Sequence, residues 1–204
     1  MEKGKERIEQ YNYDYGDRLA MENYENRRLI LNYEIDSSAL DEVVYFILRF
    51  NRDDIGIPVN ERKPIIIYVN SPGGIIADGY ALVDAIVTSV TPIYTVNLGS
   101  AMSMGFIIFL AGHKRYAMPH SEFLMHDGSS MIFDSVAKAK DRMEFETNEL
   151  EQMTKKFILS RTAMTSAFYD EKYRVEFYFL PDKAKELGVV DYIVGQDCTF
   201  EEIL

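Results

Sequence analysis

The sequence predicts a single α/β domain built on a largely parallel sheet. Three observations carry this. The run at residues 65–69, Ile-Ile-Ile-Tyr-Val, is continuously apolar, as a strand covered on both faces should be. Strand, small-residue turn and helix then follow one another twice, over residues 65–89 and 93–110, the pattern of right-handed βαβ units. A chain of 204 residues is about one domain long and can bury a core without cross-links.

Taken in order, residues 1–27 are polar, rich in Tyr, Asn and acids, and without a clear period; they read as an N-terminal arm ahead of a domain spanning 28–204. Residues 29–31 are a short β-like run. Leu40, Val43, Val44, Ile47 and Leu48 recur at helical spacing over 38–50, with Asp36 or Ser37 available as a cap. Gly56 and Pro58 make 51–63 a loop. After the strand at 65–69 comes the turn Asn70-Ser71-Pro72-Gly73-Gly74, then a helix over 77–89. A strand at 93–96 leads into a second small-residue turn, Leu98 through Gly105, and an apolar helix over 104–110. Residues 115–118 and 122–125 read as short strands. Residues 134–164 form one long helical stretch, in which Val136, Met143, Leu150, Phe157 and Met164 recur every seven residues. Glu146 breaks the second stripe, so the ridge is narrower than a coiled-coil seam. A helix at 181–187, opened by Pro181 and stopped by Gly188, and a strand at 189–194 close the chain.

Composition removes several classes of function. The formal charge of −11 opposes phosphate backbones and anionic membranes as main partners. The single cysteine, Cys198, excludes an internal disulfide and a cysteine-cluster metal site. No run reaches the ~18 apolar residues of a membrane span, and the polar N-terminus does not read as a signal peptide. A cytoplasmic protein is expected. With no Walker A loop, Gly-x-Gly-x-x-Gly or His-Glu-x-x-His pattern, no cofactor or metal is expected.

Chemistry is expected beyond the carboxyl ends of the strands, where both small-residue turns fall. Gly73 and Gly74 let backbone N–H groups face outward to make an anion cradle. Ser103, at a helix start, is either a cap or a nucleophile on a sharp turn with the Met104 N–H behind it; Ser100 is a rival. A serine needs a base, and only His113, His120 and His126 exist. His126, just past a buried strand, is best placed. Asp127 adjoins His126, but neighbours in a strand point to opposite faces; Asp170, Glu171, Glu176 and Asp182 all stay open as the third member.

Four motifs, in order, give the sequence its resemblance: Val69-Asn70-Ser71-Pro72-Gly73-Gly74, Ala101-Met102-Ser103-Met104-Gly105, Phe123-Leu124-Met125-His126 and Leu187-Gly188-Val189-Val190-Asp191. Over residues 28–195 the chain resembles the Clp protease proteolytic subunit family (ClpP). That resemblance implies a ClpP/crotonase-like ββα superhelix, with residues 134–164 as its handle helix. It implies a serine endopeptidase with Ser103 as nucleophile and His126 as base. Gly73 and Met104 become the oxyanion donors, and Gly74, Gly128, Ser129 and Ser130 the substrate-gripping segment. The family's aspartate, twelve residues before the closing glycine, falls on Glu176. The implied partners are copies of the chain in two stacked heptameric rings, an AAA+ unfoldase of the ClpX, ClpA or ClpC type, and unfolded polypeptide substrates. The sequence departs from the family in three places. Glutamate replaces aspartate at 176, the family's glycine pair after the histidine is lost in Asp127-Gly128-Ser129-Ser130, and its Asp-Arg pair falls on Arg174 and Val175. Three rivals follow: a weakened subunit working in a hetero-oligomeric ring with an active paralogue, a crotonase-superfamily acyl-CoA enzyme, and a Ser-Lys peptidase.

Overall fold

The computed structural model describes residues 14–128 and 134–204. Its seven strands are β1 (Arg28–Leu31), β2 (Ile65–Ser71), β3 (Ile93–Met102), β4 (Lys114–Ala117), β5 (Glu122–Met125), β6 (Phe177–Phe179) and β7 (Tyr192–Ile193). They form one sheet in the order β1-β2-β3-β4-β7, with β5 against the far half of β3 and β6 on β5. Every pairing is parallel except β5 with β6, which is antiparallel. The largely parallel α/β architecture is as the sequence predicts.

Alternation along the strands sorts side chains into two layers. Ile65, Ile67, Val69 and Ile93 point into the main core beneath the helices. Ile66, Val96 and Tyr116 point the other way, into a smaller cluster closed by Val194 and Ile203 from the C-terminal segment. Tyr68 donates its hydroxyl to the Ile203 carbonyl at 2.6 Å.

The helices are α1 (Tyr15–Glu25), α2 (Tyr45–Asp53, entered through a π turn at Leu40–Val44), α3 (Ile76–Thr88), α4 (Met104–Ala111), α5 (Val136–Phe145), α6 (Glu151–Arg161), α7 (Ser166–Lys172) and α8 (Pro181–Glu186). All eight residues of α4 are buried, which explains its apolar composition on every side. Its C-terminal carbonyls, Leu110, Ala111 and Gly112, accept hydrogen bonds from the Arg161 guanidinium, a cation where the helix dipole is negative.

The handle is one helical run over residues 136–161, with α5 and α6 joined by a π turn at Glu146–Leu150. Its seven-residue ridge divides at that turn. Val136 and Met143 are 89% and 60% exposed, whereas Met164 is buried; Phe157 is half-buried against the main core. The first half of the ridge is free surface and the second half is core.

Three local expectations are corrected. The expected arm over residues 1–27 is helical from Tyr15 to Glu25, capped by Asp14, whose Oδ1 accepts the Asp17 N–H at 2.8 Å; residues 1–13 lie outside the described residues. The helix shows no apolar stripe because it is anchored at one end. There Tyr24 stacks on Phe50 with centroids 5.1 Å apart, beneath the Arg49 guanidinium. Second, β3 does not stop at Val96 but continues through Gly99, Ser100 and Ala101 to Met102. Those residues are small because Asn70 crosses them. A β-carbon on Gly99 would sit 2.7 Å from Asn70 Oδ1, which accepts the Ser100 N–H at 3.0 Å. Third, the final strand is only Tyr192–Ile193 rather than 189–194, and β6 and α7 lie between the handle and α8, where the sequence predicts no element.

Candidate active site

Ser103 is the hinge between β3 and α4. Its φ is +51° and ψ −121°, a conformation a non-glycine residue adopts only at a cost of about 1–3 kcal/mol. Its carbonyl accepts from Phe106 N at 3.1 Å and its N–H donates to Leu124 O at 3.0 Å. The strained turn is therefore pinned from both sides. Met104, the first residue of α4, has an N–H with no acceptor inside the helix.

The Gly73 turn abuts this elbow. At φ +104°, a β-carbon on Gly73 would lie 2.6 Å from Ser103 Cβ and 3.1 Å from Met104 N. Alanine at Gly73 is thus expected to displace Ser103 and strain the turn, costing about 2 kcal/mol or more. A thermal melt beside active-serine labelling would check it, and an unchanged labelling rate would contradict it. The Gly73 N–H donates to Ser71 Oγ at 3.2 Å, so as an oxyanion donor it must give up that partner. Gly74 is held elsewhere: its φ is +144°, a β-carbon there would sit 2.3 Å from Ile35 O, and Ile35 bridges it in parallel.

His126 follows β5 directly. Its Nε2 is buried and has no hydrogen-bond partner among the described residues. Ser103, Met104, His126 and Gly128 line one cavity. Sequence reading missed its other walls. Ile76, Phe106, Ile107, Met125 and Ile158 are apolar, while Tyr80 and Thr154 share a hydroxyl hydrogen bond of 2.6 Å and Tyr173 lies beside them. Burial raises the pKa of Tyr80 and of Tyr173, so both phenols stay neutral over the working range. The i, i+4 spacing of Ile76 and Tyr80 was a usable signal for one wall. Thr154 and Tyr173 arrive from distant segments and left none.

The other candidates are placed as follows. Ser100 Oγ bonds to Asn70 Oδ1 at 3.2 Å and is not among the cavity's walls. His113 uses Nδ1 to accept the Ile93 N–H at 2.9 Å, and His120 is exposed in a turn. Asp170 is bonded to Lys155 through both oxygens, at 2.6 and 2.8 Å. Glu171 pairs with Lys172, and Asp182 sits in the first turn of α8. Asp127 contributes to the field that raises the Tyr173 pKa, after burial and Glu151. Glu176 precedes β6. The antiparallel register ends with Met125 opposite Phe177, so His126 and Glu176 are each the first residue beyond the paired segment, on β5 and β6 respectively. The Glu176 side chain is exposed and accepts the Tyr178 hydroxyl at Oε2, 3.1 Å away. Ser129 and Ser130 lie outside the described residues. Among the described residues no group of three or more His, Cys, Asp or Glu side chains is gathered to hold a metal ion, and no helix is long and apolar enough to cross a membrane.

The family model for Clp protease matches residues 10–197. The chain belongs to the Clp protease family. Among its relatives in this family is an ATP-dependent Clp protease proteolytic subunit of Staurastrum punctulatum, 27% identical over 174 residues, which are 84% of each chain. Another is ATP-dependent Clp protease proteolytic subunit 2 of Corynebacterium efficiens, 29% identical over 186 residues, 90% of this chain and 88% of that one. A third, from Angiopteris evecta, is 27% identical over 172 residues, covering 83% of this chain and 84% of that protein. The Clp protease match spans the strained Ser103 turn, the handle and Glu176 together, and the relatives imply a peptidase.

Proposed function

We propose that the chain is the serine endopeptidase subunit of a Clp-type protease. One observation carries this reading: Ser103, held at φ +51° at the start of a buried helix, shares a cavity with His126, whose buried Nε2 has no partner among the described residues. An unsatisfied buried ring nitrogen in the same cavity as a strained serine fits a base awaiting its substrate, since such hydrogen bonds often tighten only in the complex.

In this reading Ser103 Oγ attacks the peptide carbonyl while His126 Nε2 takes its proton. The imidazolium returns that proton to the leaving amine, and water repeats the sequence on the acyl-enzyme. The Met104 N–H, and that of Gly73 once released from Ser71, receive the oxyanion, each worth about 2.7–4 kcal/mol in comparable sites. Glu176, one residue before β6, holds the imidazole tautomer and balances its charge. The exposed ridge of Val136 and Met143 supports packing of the handle against another subunit, consistent with two stacked heptameric rings that enclose the site. An AAA+ unfoldase then supplies unfolded polypeptide. The weakened-subunit reading is favoured by one observation, the Glu176 carboxylate bonded to Tyr178.

The test is labelling with a fluorophosphonate probe, followed by mass spectrometry of the modified peptide. The expected adduct is on Ser103 and vanishes in His126→Ala. Assembled protein that takes no label would favour the weakened subunit. Labelling that survives His126→Ala would favour a lysine base.

A further inference from the structure

Glu176 is one methylene longer than the aspartate of the family it resembles, so its carboxylate has one more torsion to fix before it can orient an imidazole. The structure supplies a partner for that task. Tyr178 stands two residues along β6, hence on the same face of the strand. Its hydroxyl donates to Glu176 Oε2 at 3.1 Å. Among the described residues only one carboxylate oxygen is engaged, and an ionised carboxylate accepts at both. The strand register places Tyr178 opposite Leu124, two residues before His126, and ends with Met125 opposite Phe177, one residue short of both His126 and Glu176. Its ring is 53% exposed, so core packing does not explain the residue, and the neighbouring carboxylate raises the phenol's pKa, keeping it a donor.

We propose that Tyr178 is a positioning residue. It anchors one oxygen of Glu176, so that the other is presented across the strand pair to His126. A Glu-Tyr pair thereby does the work of a shorter aspartate. This rests on the triad reading given above.

The experiment is a mutant cycle on the assembled protein, read by peptide hydrolysis and by the rate of fluorophosphonate labelling. The members are Tyr178→Phe, Glu176→Ala, the double variant and Ser103→Ala as the blank. Phenylalanine removes the hydroxyl and little else from an exposed ring, so the fold is expected to hold, and circular dichroism checks it. Tyr178→Phe is expected to lower kcat about tenfold with KM unchanged, the scale of one hydrogen bond to a charged group. The acidic limb of its pH–rate profile should move to lower pH, because the imidazolium loses counter-charge. In the Glu176→Ala background the same change should cost nothing further.

A Tyr178→Phe enzyme within twofold of the parent, or faster than it, overturns the inference; a faster one would mean that Tyr178 holds the carboxylate away. An equal loss with and without Glu176 also overturns it, since the hydroxyl would then act by another route. If Ser103→Ala keeps its activity, or Glu176→Ala loses none, the triad reading fails and takes the Tyr178 role with it. If both lose activity while Tyr178→Phe does not, only the Tyr178 role falls.

Discussion

Glycine in place of Ser103 is expected to abolish peptide-bond hydrolysis and, at the same time, to make the fold more stable than alanine does at the same position. The activity loss follows from chemistry: without the hydroxyl no acyl-enzyme forms, and removing such a nucleophile elsewhere costs on the order of 10⁶-fold in kcat. The stability gain follows from the backbone. Ser103 adopts φ +51° and ψ −121°, where an L side chain is strained by about 1–3 kcal/mol. Alanine keeps a β-carbon and therefore the strain. Glycine removes it, against an added unfolded-state entropy of about 0.5–1 kcal/mol. The net preference for glycine is about 1 kcal/mol, or roughly 2–4 °C in Tm for a domain of this size. Thermal melts of Ser103→Ala and Ser103→Gly, run side by side, decide it. A glycine variant that melts below the alanine variant would mean the turn is not strained.

The largest loss of stability is expected at Asp54, which is not among the walls of the candidate site. Asp54 is 1% exposed. Its carboxylate accepts a two-pronged pair of hydrogen bonds from Arg27, both 2.6 Å, and a third from Thr91 Oγ1 at 2.8 Å. Arg27 also reaches the Lys63 carbonyl at 2.9 Å and itself sits at φ +57°. This cluster fixes the junction of α1 and β1 to the loop after α2. Asp54→Ala leaves a part-buried guanidinium without its partner and is expected to cost about 3–5 kcal/mol, the range for breaking a buried pair from one side. Urea unfolding measures it, and a cost below about 1 kcal/mol would mean water replaces the carboxylate freely. The same group carries a pH dependence. The hydrogen bond from Arg27 holds the Asp54 carboxyl below its ordinary value, with Thr91 adding to it against the opposing effect of burial. Its stabilisation is therefore complete above the unfolded aspartate pKa of about 3.9 and is lost as pH falls through the lower folded value.

What the sequence makes legible is what local spacing determines. Ser103 and His126 each sit at the boundary between an apolar run and a turn, and the structure brings both to one cavity. The buried strand at 65–69 and the helix stopped before Gly188, whose φ is +67°, were readable for the same reason. The family resemblance added the position of Glu176, which spacing alone left among four acids. The cavity's remaining walls were not readable. Thr154 meets Tyr80 across 74 residues of sequence, and nothing near either one announces the other. Arg27 and Asp54 are similarly hidden, each looking like one more surface charge in a chain with many. The strand β6 is three residues, Phe-Tyr-Phe, too short to show a period. The small residues from Gly99 to Ala101 read as a turn because the sequence cannot say that Asn70 lies across them.

That short strand has a consequence for how the domain opens. β3, which ends at Met102 just before Ser103, is hydrogen-bonded along both edges, to β2 on one side and to β4 and then β5 on the other. β6 is tied to the sheet by three residue pairs with β5 alone, and its main hold on the interior is Phe179, stacked on Phe123 at 5.4 Å. Backbone amides at such an edge exchange through fluctuations that cost far less than global unfolding. Ser103 is thus expected in the slow-exchanging part of the molecule and Glu176 beside a fast-exchanging edge. On the triad proposed above, each local excursion of β6 would draw the carboxylate away from the imidazole while the serine turn stays whole.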